Sequence, residues 1–268
     1  MQQAVRKLKI LKKHTYSAFN KYQSRKVAAS YDERFRGCFG QLKHWNTKRV
    51  LAKALSMIGS DTTVLDLACG TGRFIPILER KTRYWFGADI SHEMLQVSQT
   101  KIKNTQLSRG FVRLNAEKLP FKSNSFSCIM SVRFIHHIPY PNLQNILHEL
   151  HRVTKDWLVI EWKVSNSLNA SIRHTIGGRV KPASRCEEVR KIFHKAGFRV
   201  AAMLPVNRVF SNAVIFIARK SFVLVREQRF PAKRKPVVYQ EQPFAQSFNE
   251  RGAEAGLLFA SLDNMDVK

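Results

Sequence analysis

The chain has 268 residues, 44% of them hydrophobic, which suffices for one substantial core without requiring a second domain. Its 46 Lys and Arg against 19 Asp and Glu give a formal charge of +27, which favours an anionic partner: RNA, DNA, an anionic membrane surface or a phosphorylated acceptor. The sequence lacks a continuous apolar run for a transmembrane span or a signal peptide. Cys38, Cys69, Cys128 and Cys186 are too scattered for a disulfide framework or a zinc site, so no metal is expected.

Residues 1–44 are expected to form a basic helical extension or lid. The first 50 residues carry 13 Lys or Arg and only Asp32 and Glu33 as acids. Leu8 and Leu11 lie on a weak apolar stripe among basic residues, which fits an amphipathic interfacial segment or, less well, an organelle-targeting peptide. Tyr16, Phe19, Tyr22 and Tyr31 are available either to cover a site or to pack against the core.

The apolar run at 63–67 predicts a buried strand, and Gly70 and Gly72 just beyond it mark a tight turn that leaves room for a ligand. A helix is expected from Arg73 through Leu78. Residues 84–90 predict a second strand ending in Asp89, 23 positions after Asp66. An acid at such a strand end can accept both hydroxyls of a ribose; the alternative is a cap for the next helix. The third glycine of a dinucleotide fingerprint is absent, since position 75 is Ile75, which argues against a pyrophosphate-bearing cofactor.

A short third strand is expected around 111–114 and a fourth at 126–132. Leu143, Ile146, Leu147, Leu150 and Val153 recur at helical spacing, and 157–162 returns to a strand-like apolar run. The segment 165–184 includes His174, Gly177, Gly178 and Arg179; with Arg185 it suits either an acceptor rim or ordinary surface. Val189, Ile192, Phe193 and Ala196 predict a helix ending near Gly197, followed by extended segments at 198–204 and 209–218. Val223, Leu224 and Val225 suit a short added strand, but the rest of 221–268 has no domain signature and is expected to be partly flexible.

The segment Val64-Leu65-Asp66-Leu67-Ala68-Cys69-Gly70-Thr71-Gly72-Arg73-Phe74 resembles the first motif of the class I S-adenosylmethionine (SAM)-dependent methyltransferases. Asp89-Ile90-Ser91-His92-Glu93-Met94-Leu95 is similar to that family's D-x-S-x-x-M-L segment, and Asn115-Ala116-Glu117-Lys118-Leu119-Pro120-Phe121 to its L-P-F segment. Phe134-Ile135-His136-His137-Ile138 resembles its segment after the fourth strand. One departure is Ser127, where the family commonly has Asp after the phenylalanine. The matches cover roughly residues 60–140, in the family's order.

The resemblance implies an α/β fold: a Rossmann-like three-layer sandwich with a central, mostly parallel seven-stranded sheet over about 45–220. It also implies SAM as cofactor, held by Asp66, Ala68, Gly70, Gly72, Asp89, Ile90, Met94, Ala116, Glu117, Ser131 and His136. In that scheme Asp66 organises the glycine loop and the methionine end, and Gly70 and Gly72 permit close backbone approach. Asp89 binds the ribose, Ile90 and Met94 form apolar walls, and Ala116 and Glu117 face the adenine. Ser131 lies near the mouth of methyl transfer and His136 touches the cofactor; Glu117 is alternatively a solvated loop charge.

No side chain stands out as a catalytic base. The expected reaction is methyl transfer to a small-molecule or lipid-linked acceptor, with RNA methylation and a noncatalytic SAM-binding scaffold as alternatives. Within that frame the basic surface would meet RNA or an anionic membrane. An intracellular protein is expected, soluble or peripheral to a membrane, cytoplasmic unless targeted to an organelle. The sequence sets no oligomeric state.

Overall fold

A computed structural model describes residues 22, 24–104, 106–164, 185–207 and 212–221. A short helix α1 (Arg25–Ala29) and a 3-10 turn (Tyr31–Phe35) lead into the long helix α2 (Cys38–Ile58). The chain then alternates β1 (Thr63–Leu67), α3 (Ile75–Lys81), β2 (Tyr84–Asp89), α4 (His92–Gln99) and β3 (Ser108–Arg113). After β4 (Phe126–Ser131) come a 3-10 turn (Ile135–His137), α5 (Tyr140–Val153) and β5 (Thr154–Lys163); α6 (Cys186–Lys195), β6 (Phe198–Pro205) and β7 (Ala213–Lys220) complete the described elements.

The strands form one seven-stranded sheet in the order β3-β2-β1-β4-β5-β7-β6. Neighbours from β3 through β5 are parallel, whereas β7 runs antiparallel to both β5 and β6. The expected Rossmann-like, mostly parallel sheet is therefore the fold.

Period-two alternation along the strands supplies both faces of the sheet. Leu65, Leu67, Ile129, Leu158 and Ile160 join the core built with Ile146 and Leu150 of α5 and Val189 and Phe193 of α6. Their sequence neighbours Val64, Cys128, Met130 and Val159 join the opposite core with Leu51 and Leu55 of α2 and Leu78 of α3. A sheet buried on both faces explains why its central strands read as short continuous apolar runs.

Several boundaries shift. The third strand spans Ser108–Arg113, where β2 offers parallel partners from Trp85 to Asp89, not 111–114. The fifth begins at Thr154, earlier than the apolar run, because Thr154 pairs with Phe126. The helix after the glycine loop begins at Ile75, with Pro76 in its first turn.

The expected division at 44/45 falls inside α2. That helix buries Val50, Leu51, Ala54 and Leu55 against the sheet, so its beginning is continuous with a layer of the domain and is not part of a separate extension. Arg185, considered for an acceptor rim, heads α6, where its backbone N–H donates to Glu188 Oε2 at 3.0 Å. Leu8, Leu11, Tyr16, Phe19, the segment 165–184 with His174 and Arg179, and the tail from 222 lie outside the described residues.

One side chain fixes the long connection between β3 and β4. Arg152 of α5 donates to the carbonyls of Phe121 at 2.6 Å and Leu119 at 2.8 Å, and to both oxygens of Glu149. Glu149 in turn accepts from the Leu119 N–H at 2.7 Å. Burial pushes the Glu149 carboxyl up, but the Arg152 hydrogen bonds, the Leu119 amide and the Arg152 charge outweigh it and hold the pKa below the ordinary value.

Because the folded pKa is depressed, this stabilisation is present above the unfolded carboxyl pKa and is lost as pH falls through the folded value. Arg152→Ala should cost about 2 kcal/mol at pH 7 by orphaning two carbonyls and a carboxylate. The penalty should shrink below roughly pH 4 as the carboxyl protonates. Urea unfolding at pH 7 and pH 3.5 measures both effects; equal midpoints for the variant and the parent at pH 7 would refute the role.

Candidate active site

The strand order reverses at β1, which has β2 on one side and β4 on the other, and ligand crevices of open α/β sheets form at such switch points. A cavity opens there. Asp66 at the end of β1, Gly70 in the following loop and Asp89 at the end of β2 line it, with Ile90, Met94 and Ala116 as apolar surface. Tyr22, Tyr31, Arg73, Arg133, Phe134 and His137 line its remaining side.

Asp66 is 2% exposed, and its Oδ2 has no hydrogen-bond partner. Burial, and then the charge of Asp89, push its pKa well above the ordinary carboxyl value, opposed by Arg73. Asp89 is better solvated by protein: Oδ2 accepts from the Gly70 N–H at 2.8 Å and Oδ1 from the Ser91 N–H at 3.0 Å. Burial raises its pKa while the amides of Ser91, Gly70 and Ile90 pull it down. The helix-cap alternative for Asp89 belongs instead to Ser91, whose Oγ accepts from the Met94 N–H at 3.1 Å.

The two motif glycines differ in their surroundings. Both have positive φ, +57° at Gly70 and +68° at Gly72. A side chain at Gly70 would enter open space, whereas a Cβ at Gly72 would lie 2.5 Å from Ile75 Cδ1 and 3.0 Å from Ser98 Cβ. Gly70 is thus the residue whose missing side chain leaves the cavity open, and Gly72 lets the loop pack against α3 and α4.

Asp66, Ala68, Gly70, Asp89, Ile90, Met94 and Ala116 come together around the cavity; Gly72, Glu117, Ser131 and His136 are not among its lining. Glu117 accepts from Asn142 Nδ2 at 2.9 Å, an interaction with α5. Ser131 is fully buried and donates to the Leu67 carbonyl at 3.0 Å, tying β4 to β1. His136 turns away in the 3-10 turn and leaves His137 at the cavity, their rings 4.0 Å apart. Burial, with the nearby His137, Lys163, Arg133 and Lys43, pushes His136 down to about 3. Ser127, the departure from the family pattern, accepts from the Thr63 N–H at 3.4 Å.

Tyr22 and Tyr31 line the cavity, and the contacts that hold them there were missed by sequence reasoning. Asp32 accepts from Thr71 Oγ1 at 2.7 Å and pairs with Lys101, so the 3-10 turn before α2 docks on the glycine loop and the end of α4. Ser91 Oγ donates to the Tyr22 carbonyl at 2.7 Å. The Tyr22 ring meets Tyr31 and His137 edge-on, at 5.8 Å and 6.0 Å. The available signal was Asp32 itself, one of two acids in a basic stretch. Arg73 and Arg133 were also missed, and the only signal for Arg73 was its place directly after Gly72.

Residues 64–156 match the family described as a methyltransferase domain. An uncharacterised protein of Methanocaldococcus jannaschii is 29% identical over 168 residues, 62% of this chain and 60% of that protein. The demethylmenaquinone methyltransferase of Lactiplantibacillus plantarum is 32% identical over 121 residues, 43% of this chain and 49% of the enzyme. The alignments thus span about half to three fifths of these relatives. The crystal structure of magnesium protoporphyrin IX methyltransferase from Synechocystis PCC 6803 with bound SAH shares the fold, with a TM-score of 0.62 at 17% identity over 76% of this chain and 98% of that one. Motif order, strand order and the domain match converge: the chain carries a class I SAM-dependent methyltransferase domain.

Proposed function

We propose that this protein binds SAM in the cavity at the ends of β1 and β2 and transfers its methyl group to a small-molecule acceptor. The observation that carries the reading is the convergence of Asp66, Gly70 and Asp89 on one cavity. The unpartnered Asp66 Oδ2 suits an ammonium group such as that of the methionine moiety. Asp89 Oδ2 accepts from the Gly70 amide and Oδ1 from the Ser91 amide, and a carboxylate so held keeps acceptor capacity for a ribose hydroxyl. Ile90, Met94 and Ala116 offer apolar surface for the adenine.

SAM supplies an activated methyl on a sulfonium: as the acceptor's electron pair forms the new bond to carbon, the carbon–sulfur bond breaks and its pair stays on sulfur, giving S-adenosylhomocysteine (SAH). The protein's part is then to align the two reactants and exclude water. The docked Tyr22 and Tyr31 support that role, since they cover the cavity from the N-terminal side.

Purified protein incubated with methyl-labelled SAM and a fractionated cell extract should yield label that extracts with small molecules or lipids. Asp89→Ala should abolish the labelling while the far-UV spectrum is retained. Label released by nuclease would replace this reading with RNA methylation, for which the +27 charge provides attraction. SAM binding without transfer to any fraction would favour a noncatalytic role.

The raised pKa of Asp66 gives a second check. An ammonium beside it favours the ionised carboxylate, so cofactor binding should release a proton wherever the free carboxyl is protonated. SAM affinity should then fall as pH decreases, and calorimetry in buffers of different ionisation enthalpy should register the proton. Asp66→Asn should abolish the release. Proton uptake by the parent protein would contradict the assignment.

A specific observation favours a membrane-borne acceptor as a second reading. Phe39, Leu42 and Trp45 recur on one side of α2 and are 90%, 50% and 57% exposed. Arg49 stacks over Trp45 at 5.4 Å. An apolar stripe beside cations suits the interface of an anionic bilayer. Among the described residues no helix is long and apolar enough to cross a membrane. Vesicles containing phosphatidylglycerol should blue-shift Trp fluorescence and sediment the protein, and Phe39→Ser with Leu42→Ser should reduce binding about tenfold. Equal sedimentation of the variant would dismiss the stripe as the contact.

A further inference from the structure

The cavity has a basic side that the cofactor reading leaves unused. Arg73 follows the glycine loop and Arg133 follows β4, and both line the cavity. They share one aromatic support: the Arg73 guanidinium lies 4.1 Å from the Phe35 ring centroid and that of Arg133 lies 5.0 Å from it. Arg73 also stacks against Phe74 at 5.3 Å and Tyr31 at 5.6 Å. Stacking holds a planar guanidinium in place while leaving its edge donors free for a ligand.

No carboxylate among the described residues forms an ion pair with either guanidinium. Asp32 is committed to Thr71 and Lys101. Glu161 attracts both arginines but stands beyond ion-pair distance. Among the described residues the hydrogen-bond partner of the Arg73 guanidinium is His44 Nδ1, at 3.5 Å. Burial, with Lys48 and Arg73 beside it, pushes His44 down to about 4, so it adds no second cation at neutral pH. Arg133 has a buried Nε without a hydrogen-bond partner and holds its backbone at φ +64°, a conformation that non-glycine residues seldom adopt.

Two half-buried guanidiniums beside a cavity, one with an orphaned buried Nε, form an oxyanion site, because such a donor costs free energy that an anionic oxygen recovers. The cavity lining is also rich in aromatic rings, those of Tyr22, Tyr31, Phe134 and His137. We infer that Arg73 and Arg133 bind an oxyanion carried by the methyl acceptor, and that the acceptor is a planar, conjugated molecule bearing a carboxylate or phosphate. This rests on the methyl-transfer reading. Asp66 and Asp89 would take the cofactor's cationic and hydroxyl groups, while the guanidiniums orient the acceptor.

The α-carboxylate of the cofactor is the other oxyanion that such a pair can hold, so the test separates the two sources. Protein saturated with SAH, whose own carboxylate is then in place, is titrated with benzoate and with its neutral isostere benzamide, followed by NMR. Benzoate should bind at least about tenfold more tightly than benzamide. Arg133→Gln should remove most of that preference while SAH affinity stays within about twofold. Arg73→Gln provides a second variant, and thermal melts confirm that each is folded.

Equal affinity for benzoate and benzamide in the SAH-loaded parent overturns the inference, as does an undiminished preference in both folded variants. A large loss of SAH affinity in Arg133→Gln, with no benzoate preference in the loaded parent, assigns the pair to the cofactor's carboxylate and leaves the methyl-transfer reading standing. Failure of SAH to bind the parent overturns that reading instead. Titration of the unloaded protein then decides the oxyanion site alone, since benzoate discrimination lost in the variants supports it and absence of discrimination refutes it.

Discussion

The site depends on the carboxylate of Asp89, which bridges the Gly70 amide and the Ser91 amide. Sheet register makes the bridge available: Leu67 at the end of β1 pairs with Ala88, and the Cys69 N–H extends that ladder by donating to the Ala88 carbonyl at 3.0 Å. The glycine loop and the start of α4 therefore emerge side by side. Asp89 joins them by accepting from an amide of each. Burial alone would favour the neutral acid; the amides that reach it favour the charged form and reduce the cost of keeping it there. Ser91 then extends the node outward, through its hydroxyl to the Tyr22 carbonyl.

From that node the N-terminal segment becomes part of the site. Asp32 anchors to Thr71 in the glycine loop and to Lys101 just after α4, two points that Ser98 brings together by donating to the Gly70 carbonyl at 2.9 Å. Tyr31 and Phe35 flank this anchor in one 3-10 turn and are carried to the guanidinium of Arg73. A chain with +27 net charge thus spends one of its few acids on closing the site. The resulting cavity is lined by both carboxylates and guanidiniums, and the excess positive charge elsewhere raises the local concentration of anionic ligands.

The fold was legible because buried strands announce themselves as apolar runs and amphipathic helices as 3.6-residue periods, both local in sequence. The residues at the strand ends came with it, since topology alone gathers the ends of β1, β2 and β4 at one edge. What escaped depends on phase or on distance. His136 and His137 are adjacent, and only the rotation of the 3-10 turn decides which meets the cavity. Gly72 carries the motif's signature but answers to Ile75 and Ser98 packed behind it. The 44/45 division cuts α2 because the exposed first turns of that helix, with Phe39 and Leu42 facing outward, give no sign of the core face that begins at Asn46.

Backbone strain marks the same edge. Ala68 after β1 and Arg133 after β4 both have positive φ, +59° and +64°. A non-glycine residue in that region costs about 1–3 kcal/mol, a conformation retained only where surrounding contacts over-determine it. Here the ladder supplies those contacts: β1 and β4 pair through Val64, Leu65 and Asp66, and Ser131 ties the last residue of β4 to the Leu67 carbonyl. The chain must therefore turn sharply as soon as each strand ends. That turn brings Ala68 and Arg133 to one cavity, where a relaxed extension of either strand would have carried them past it.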